Sequence, residues 1–159
     1  MTRGFQPAAQ AAILVALSLA AGILANRLRA HPLPWRQEWS RHVEAASKEL
    51  GVPTVTLEQA RTIAQKMTHL ILDARPPADF AAGHIPGAFN VPGDQIGTYL
   101  PQVLPLLTPA QPLMTYCSGH TCDDSVKLSK HLQQNGFTNL VLFVGGWTEW
   151  SAAKLPVEK

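Results

Sequence analysis

Cysteine is nearly absent from this chain. There are two in 159 residues, too few for a disulfide framework to hold a domain together. Both fall in one loop, as Cys117 and Cys122, so what they contribute is local and chemical. Charge is also sparse, at 15% of residues. Residues 54–159 hold seven Lys/Arg against eight acids with no basic stripe, which sets nucleic acid aside as a partner. Internal repeats and low-complexity tracts are missing, so repeat and fibrous architectures are excluded. Paired metal-ligand spacing is missing too. Cys117, His120 and Cys122 crowd into six residues, so no metal is expected there, and no motif calls for another cofactor.

One absence is a segment in itself. From Ala8 to Ala25 there is no charge, and from Ala11 the run is almost purely Ala, Ile, Leu and Val, long enough to cross a bilayer. A cleaved signal peptide is an alternative, with Arg3 as a short positive region and Ala25 or Ala30 as small residues. Arg27 and Arg29 follow at once and no clean A-x-A site is present, which favours an uncleaved single-pass anchor. Arg27, Arg29, Arg36 and Arg41 after the run outnumber Arg3 before it, which places the C-terminal part on the cytoplasmic side. A periplasmic or other extracytoplasmic site is the alternative.

The expected division is therefore residues 1–30 as transmembrane anchor or signal segment, 31–53 as juxtamembrane linker, and 54–159 as the globular domain. In the linker, His31-Pro-Leu-Pro34 stops the first helix. Trp35, Trp39, Val43 and Ala46 then share a helical face, to lie either at the headgroup level or on the domain.

Within the domain, helical spacing runs from Thr56 to Met67, with Thr56 as N-cap, and Pro77 to Ala82 reads as a brief helix. Leu70 to Leu72, ending in Asp73, reads as a buried parallel strand, with further strands at Ala88–Val91, Leu113–Tyr116 and Leu140–Val144. A helical piece lies around Gln95 to Leu100. The helix Ser125 to Asn135 puts Ser125, Leu128, Ser129 and Leu132 on one face, with Gly136 ending it, and a last helix holds Trp147 and Trp150. Strands alternating with helices predict a mainly parallel α/β sheet with helices on both faces. Its chemistry belongs at the carboxyl ends of strands, where Asp73 and Cys117 fall.

Cys117 stands at such an end, before a loop of Ser118, Gly119, His120, Thr121, Cys122, Asp123 and Asp124 that opens a helix. Helix N–H groups and dipole favour an anion there, and hence a thiolate. The polar company predicts that Cys117 lies exposed in a turn.

Four segments, in order, resemble the rhodanese family. They are Leu72-Asp73-Ala74-Arg75 with Asp79-Phe80; Gly83-His84-Ile85-Pro86-Gly87-Ala88 with Asn90 and Pro92; Tyr116-Cys117; and Gly145-Gly146-Trp147 with Trp150 and Leu155-Pro156-Val157. The resemblance implies a five-stranded parallel sheet and sulfurtransferase chemistry. Cys117 would take sulfane sulfur from a donor, a persulfide or thiosulfate, and pass it to a thiol or other nucleophilic acceptor. Residues 118–124 would hold the persulfide anion on their N–H groups, and Asp73 and Arg75 would support the loops by hydrogen bonds and an ion pair.

The loop departs from the family pattern by being longer and by lacking Arg and Lys, while Asp123 and Asp124 add negative charge. This disfavours the thiosulfate dianion as donor. It also removes the Arg with which related phosphatases grip phosphate. Cys122 is read equally as a resolving thiol, which would make the protein a thiol-disulfide or persulfide reductase, or as a loop filler. His120 is read as an exposed loop histidine or as an acid–base group. A third reading is a catalytically silent module that binds a membrane protein partner.

Overall fold

The computed structural model describes residues 7–29, 42–108 and 110–159; Trp35 and Trp39 lie outside the described residues. The chain forms two compact units, residues 1–37 and 38–159. The first contains α1 (Pro7–Arg27), 21 residues with no acid in its first turn and Arg27 in its last. At 1.5 Å per residue it is about 30 Å long, the thickness of a bilayer's hydrocarbon core. The stretch Gln10–Arg27 is long and apolar enough to cross a membrane.

The second unit is built on a five-stranded parallel sheet in the order β1-β5-β4-β2-β3. Its strands are β1 (Thr54–Val55), β2 (Leu70–Asp73), β3 (Ala88–Asn90), β4 (Leu113–Tyr116) and β5 (Leu140–Phe143). The helices are α2 (His42–Leu50), α3 (Leu57–Lys66), α4 (Pro77–Ala82), α5 (Ile96–Val103), α6 (Asp124–Gln134) and α7 (Gly146–Ala152). This is the mainly parallel α/β architecture that the alternation of strands and helices predicts. The strand at Thr54–Val55 is an addition.

The register explains why the central strands are apolar on both faces. Leu113 lies between Leu70 and Leu140, and Thr115 between Leu72 and Leu142; this row faces α2, α5 and α6. Met114 lies between Ile71 and Val141, and Tyr116 between Asp73 and Phe143; this row faces α3 and α7. A period of two with both faces covered leaves no polar alternation to read, as in any doubly covered sheet. On α6 the buried residues are Ser125, Leu128, Ser129 and Leu132, the face its spacing predicts. Ser129 meets Thr115 at 2.8 Å, so the two buried hydroxyls satisfy each other.

Helix α2 belongs to this unit. Val43 and Ser47 are buried, and the Ser47 hydroxyl donates to Val52 O at 2.6 Å. Helix α3 begins in a capping box: Gln59 N–H donates to Thr56 Oγ1 at 3.4 Å, and Thr56 N–H to Gln59 Oε1 at 2.8 Å. Thr56→Ala should cost about 1 kcal/mol of stability in urea unfolding. A loss near zero would show that tertiary packing alone fixes this helix start.

Candidate active site at the Cys117 loop

Strand β4 delivers Cys117 to the carboxyl edge of the sheet, and the chain then loops through residues 118–123 before α6 begins. The first turn of α7 clamps this loop. Trp147 N–H donates to Cys117 O at 2.9 Å, and Thr148 donates to Ser118 O through its N–H at 2.9 Å and its hydroxyl at 2.7 Å. In a trans peptide the N–H points opposite to the C=O, so the N–H groups of Ser118 and Gly119 are turned away from α7. Among the described residues, the backbone N–H groups of Ser118, Gly119, His120 and Thr121 find no acceptor. Cys122 N–H donates to Gly119 O at 3.0 Å and closes the turn.

The clamp needs a glycine. Gly146 sits at φ +55°, and a Cβ there would overlap Cys117 O and approach Gly119 N to 2.9 Å.

Cys117 and Cys122 are joined in a disulfide, with their Cα atoms 6.0 Å apart. Cys117 is only 2% exposed, which corrects the expectation that it lies open in a turn. Ser118 and Thr121 of the loop are exposed, while Cys122, bonded to Cys117, is itself partly buried and covers the sulfur. Cys122 Sγ also lies 3.6 Å from Asp124 Oδ2. Asp124 Oδ1 is held by Lys127 Nζ at 2.7 Å, an interaction that raises the Lys127 pKa. Asp123 instead faces His42 of α2, at 3.2 Å. Cys117, Cys122 and Asp124 bring their donor atoms within 4.8 Å of one another, with the two sulfurs bonded to each other and the carboxylate paired with Lys127.

His120 is half-buried. Its Nε2 lies 3.1 Å from Glu149 Oε1, which fixes the ring, while Nδ1 is buried with no partner. A 230 Å³ cleft beside the loop is lined by His120, Glu149, Gly145, Val144, Thr56 and Glu44, among others. Glu149 and the clamping residues Trp147 and Thr148 are site components that sequence reasoning missed. The available signal was the position of all three in the first turn after Gly145-Gly146.

Behind the loop lies a buried polar group. Arg75 Nη2 is 2.6 Å from Asp73 Oδ2, Arg75 Nε lies 3.0 and 3.1 Å from the two carboxylate oxygens, and Nη2 also donates to Gly83 O at 2.8 Å. Tyr116 O–H donates to Asp73 Oδ2 at 2.5 Å. Burial first, and then the Asp73 carboxylate, push the Tyr116 pKa above its ordinary value, so the phenol stays a donor. Burial alone would lower the Arg75 pKa, but the bonds to Asp73 more than offset it and the net direction is upward. Asn90 Nδ2 reaches Asp73 O and Arg75 O at 3.1 and 2.9 Å, tying the turn that carries both. The Arg75 guanidinium lies 4.5 Å from the Trp147 ring centroid. The Asp73–Arg75 pair thus supports the residue whose N–H holds Cys117 O.

A parallel sheet with a cysteine loop opening a helix at its carboxyl edge defines the class, and comparison gives the family. The rhodanese-like domain family matches residues 56–153, and the chain belongs to it. The chain spans about half the length of the curated relatives it matches. One is a helix-turn-helix-type transcriptional regulator of Mycobacterium tuberculosis, 28% identical over 120 residues, covering 72% of this chain and 50% of that one. Another, from Synechococcus elongatus and provisionally named a thiosulfate sulfurtransferase, is 29% identical over 157 residues, covering 79% and 48%. Among solved structures, a Bacillus halodurans protein superposes with a TM-score of 0.60 at 23% identity, covering 72% of this chain and 82% of that one. The thiosulfate sulfurtransferase of Pseudomonas aeruginosa gives 0.59 at 22%, covering 76% and 22%. These two likenesses establish the fold.

Proposed function

We propose that the protein is a sulfurtransferase that carries sulfane sulfur as a persulfide on Cys117, with α1 as a membrane anchor and the domain on the cytoplasmic side. The observation that carries this reading is the set of four backbone N–H groups, Ser118 to Thr121, without an acceptor beside a strand-end cysteine. Such a fan suits an anion one atom beyond the sulfur.

The cycle begins once a dithiol has opened the Cys117–Cys122 bond. The Cys117 thiolate attacks the outer sulfur of a donor persulfide, forms an S–S bond, and expels the donor thiolate. An acceptor thiolate then attacks that outer sulfur, leaves as a persulfide, and returns Cys117 to the thiolate. The named activity of the Synechococcus relative fits this chemistry. The loop, with Asp123 and Asp124 and no Lys or Arg, favours a persulfide donor over the thiosulfate dianion. Membrane anchoring rests on the length and composition of α1, and orientation on Arg27 and Arg29 after it.

The test is intact mass of the full chain with Cys122→Ser, reduced and exposed to glutathione persulfide. A gain of about 32 Da, one sulfur on a thiol, is expected, slower with thiosulfate, and lost in the Cys117→Ser/Cys122→Ser chain. No gain with either donor would leave the domain as a binding module.

A further inference from the structure

We infer that Cys122 is a resolving thiol with Asp124 as the acceptor of its proton, so that the domain reduces sulfane sulfur to sulfide at the expense of a dithiol. The inference rests on the persulfide at Cys117 and adds a second step to it.

The geometry supplies each part. The Cys117–Cys122 disulfide, with Cα atoms 6.0 Å apart, shows that the loop lets one Sγ reach the other with the fold intact. Cys122 lies against the Cys117 sulfur in the form in which Cys117 is only 2% exposed, so the resolving thiol is held beside the inner sulfur while donor and acceptor thiols meet the outer one. In the disulfide the Cys122 sulfur has no proton. In the reduced pair, Asp124 Oδ2, 3.6 Å away, is placed to accept one. Lys127 fixes that carboxylate from its other oxygen, and Gly93, where a Cβ would overlap the Asp124 side chain, backs it. The N–H groups of Ser118 to Thr121, without an acceptor in the same loop, are available to the departing anion.

The step balances. Cys122 gives its proton to Asp124 and its sulfur attacks Cys117 Sγ, the inner sulfur of the persulfide. The new bond is the Cys117–Cys122 disulfide. The bond from Cys117 Sγ to the sulfane sulfur breaks, and its electron pair leaves with the sulfane sulfur, which takes the proton from Asp124 and departs as hydrosulfide. The sulfane sulfur is reduced by two electrons and the two cysteines are oxidised together. Hydrosulfide is a better leaving group than an alkyl thiolate, which favours this direction. A dithiol, of protein or small-molecule origin, then reduces the disulfide and is itself oxidised to a disulfide.

The experiment is a single turnover without an acceptor thiol. The full chain is reduced with dithiothreitol, freed of it anaerobically, and mixed with one equivalent of glutathione persulfide; sulfide and intact mass are followed together. The wild-type chain should release one sulfide per molecule and end about 2 Da lighter than its reduced form, the loss of two hydrogens to a disulfide. Cys122→Ser, and Cys122→Ala as a second variant, should keep about 32 Da of added sulfur and release less than about a tenth of the sulfide. Asp124→Asn should slow sulfide release about tenfold or more, and the residual rate should rise steeply with pH as hydroxide takes over proton removal. A packing role would not produce that profile.

If wild-type protein holds its extra sulfur as stably as Cys122→Ser, the resolving step is wrong and the carrier reading stands. If neither the Cys122 variants nor wild type takes up sulfur, the carrier reading falls with it. An Asp124→Asn chain with wild-type rate and pH profile removes Asp124 from the step.

Discussion

Asp73→Asn should destabilise the domain by about 3–5 kcal/mol, the loss expected when one partner of a buried ion pair is removed. The side chains of Asp73 and Arg75 are 0% and 3% exposed, so the guanidinium left behind has no water to turn to. Gly83 O would remain as one acceptor, against an ion that now bonds both carboxylate oxygens. Tyr116 would keep a partner in the Asn carbonyl, which confines the loss mainly to Arg75. Urea unfolding measures it. Arg75→Met in the Asp73→Asn background should restore part of the loss, because the uncompensated charge is gone. A shift below about 1 kcal/mol for Asp73→Asn would place the pair among weakly contributing surface pairs and undercut its role as the floor of the site. Because Arg75 lies against the Trp147 ring, the variant should also loosen the clamp on Cys117.

That support was legible in part. Asp73 and Arg75 are two residues apart just past a short apolar strand, so their pairing follows from the turn. The α6 face and the strand Leu113–Tyr116 were equally readable, because spacing and apolar runs are local signals. The two-residue strand β1 was not: it exists through its register with Leu142 and Phe143, and two residues carry no period. The burial of Cys117 was also beyond local reading. Cys122 is bonded over the sulfur, and the loop that carries both is held by the first turn of α7, some thirty residues along the chain, neither of which a polar loop sequence shows. His120 shows the same limit, since Glu149 reaches it from that distant turn. Polar residues within one loop say which groups are near the sulfur, while the direction of the N–H groups depends on what holds the carbonyls.

Gly146→Ala tests that dependence, and it should slow persulfide formation on Cys117 about a hundredfold or more, the scale of an ångström's misplacement at a reacting atom. Two penalties act at once. The residue sits at φ +55°, and the new Cβ would overlap Cys117 O and crowd Gly119 N. The simplest relief is for α7 to back away, which stretches the bonds from Trp147 N–H and Thr148 N–H to the loop carbonyls. With the carbonyls released, the N–H fan of Ser118 to Thr121 loses its direction and Cys117 its anion site. Gly136→Ala separates strain from displacement. Gly136 sits at φ +88° with no atom within 4 Å of the added Cβ, so it should lose about 1 kcal/mol of stability from strain and leave sulfur uptake unchanged. The rate of mass gain in the Cys122→Ser background, with far-ultraviolet circular dichroism to show a folded chain, reads both variants. A folded Gly146→Ala chain that takes up sulfur at the parent rate would mean that the α7 clamp does not set the loop's N–H groups, and their anion site would need another origin.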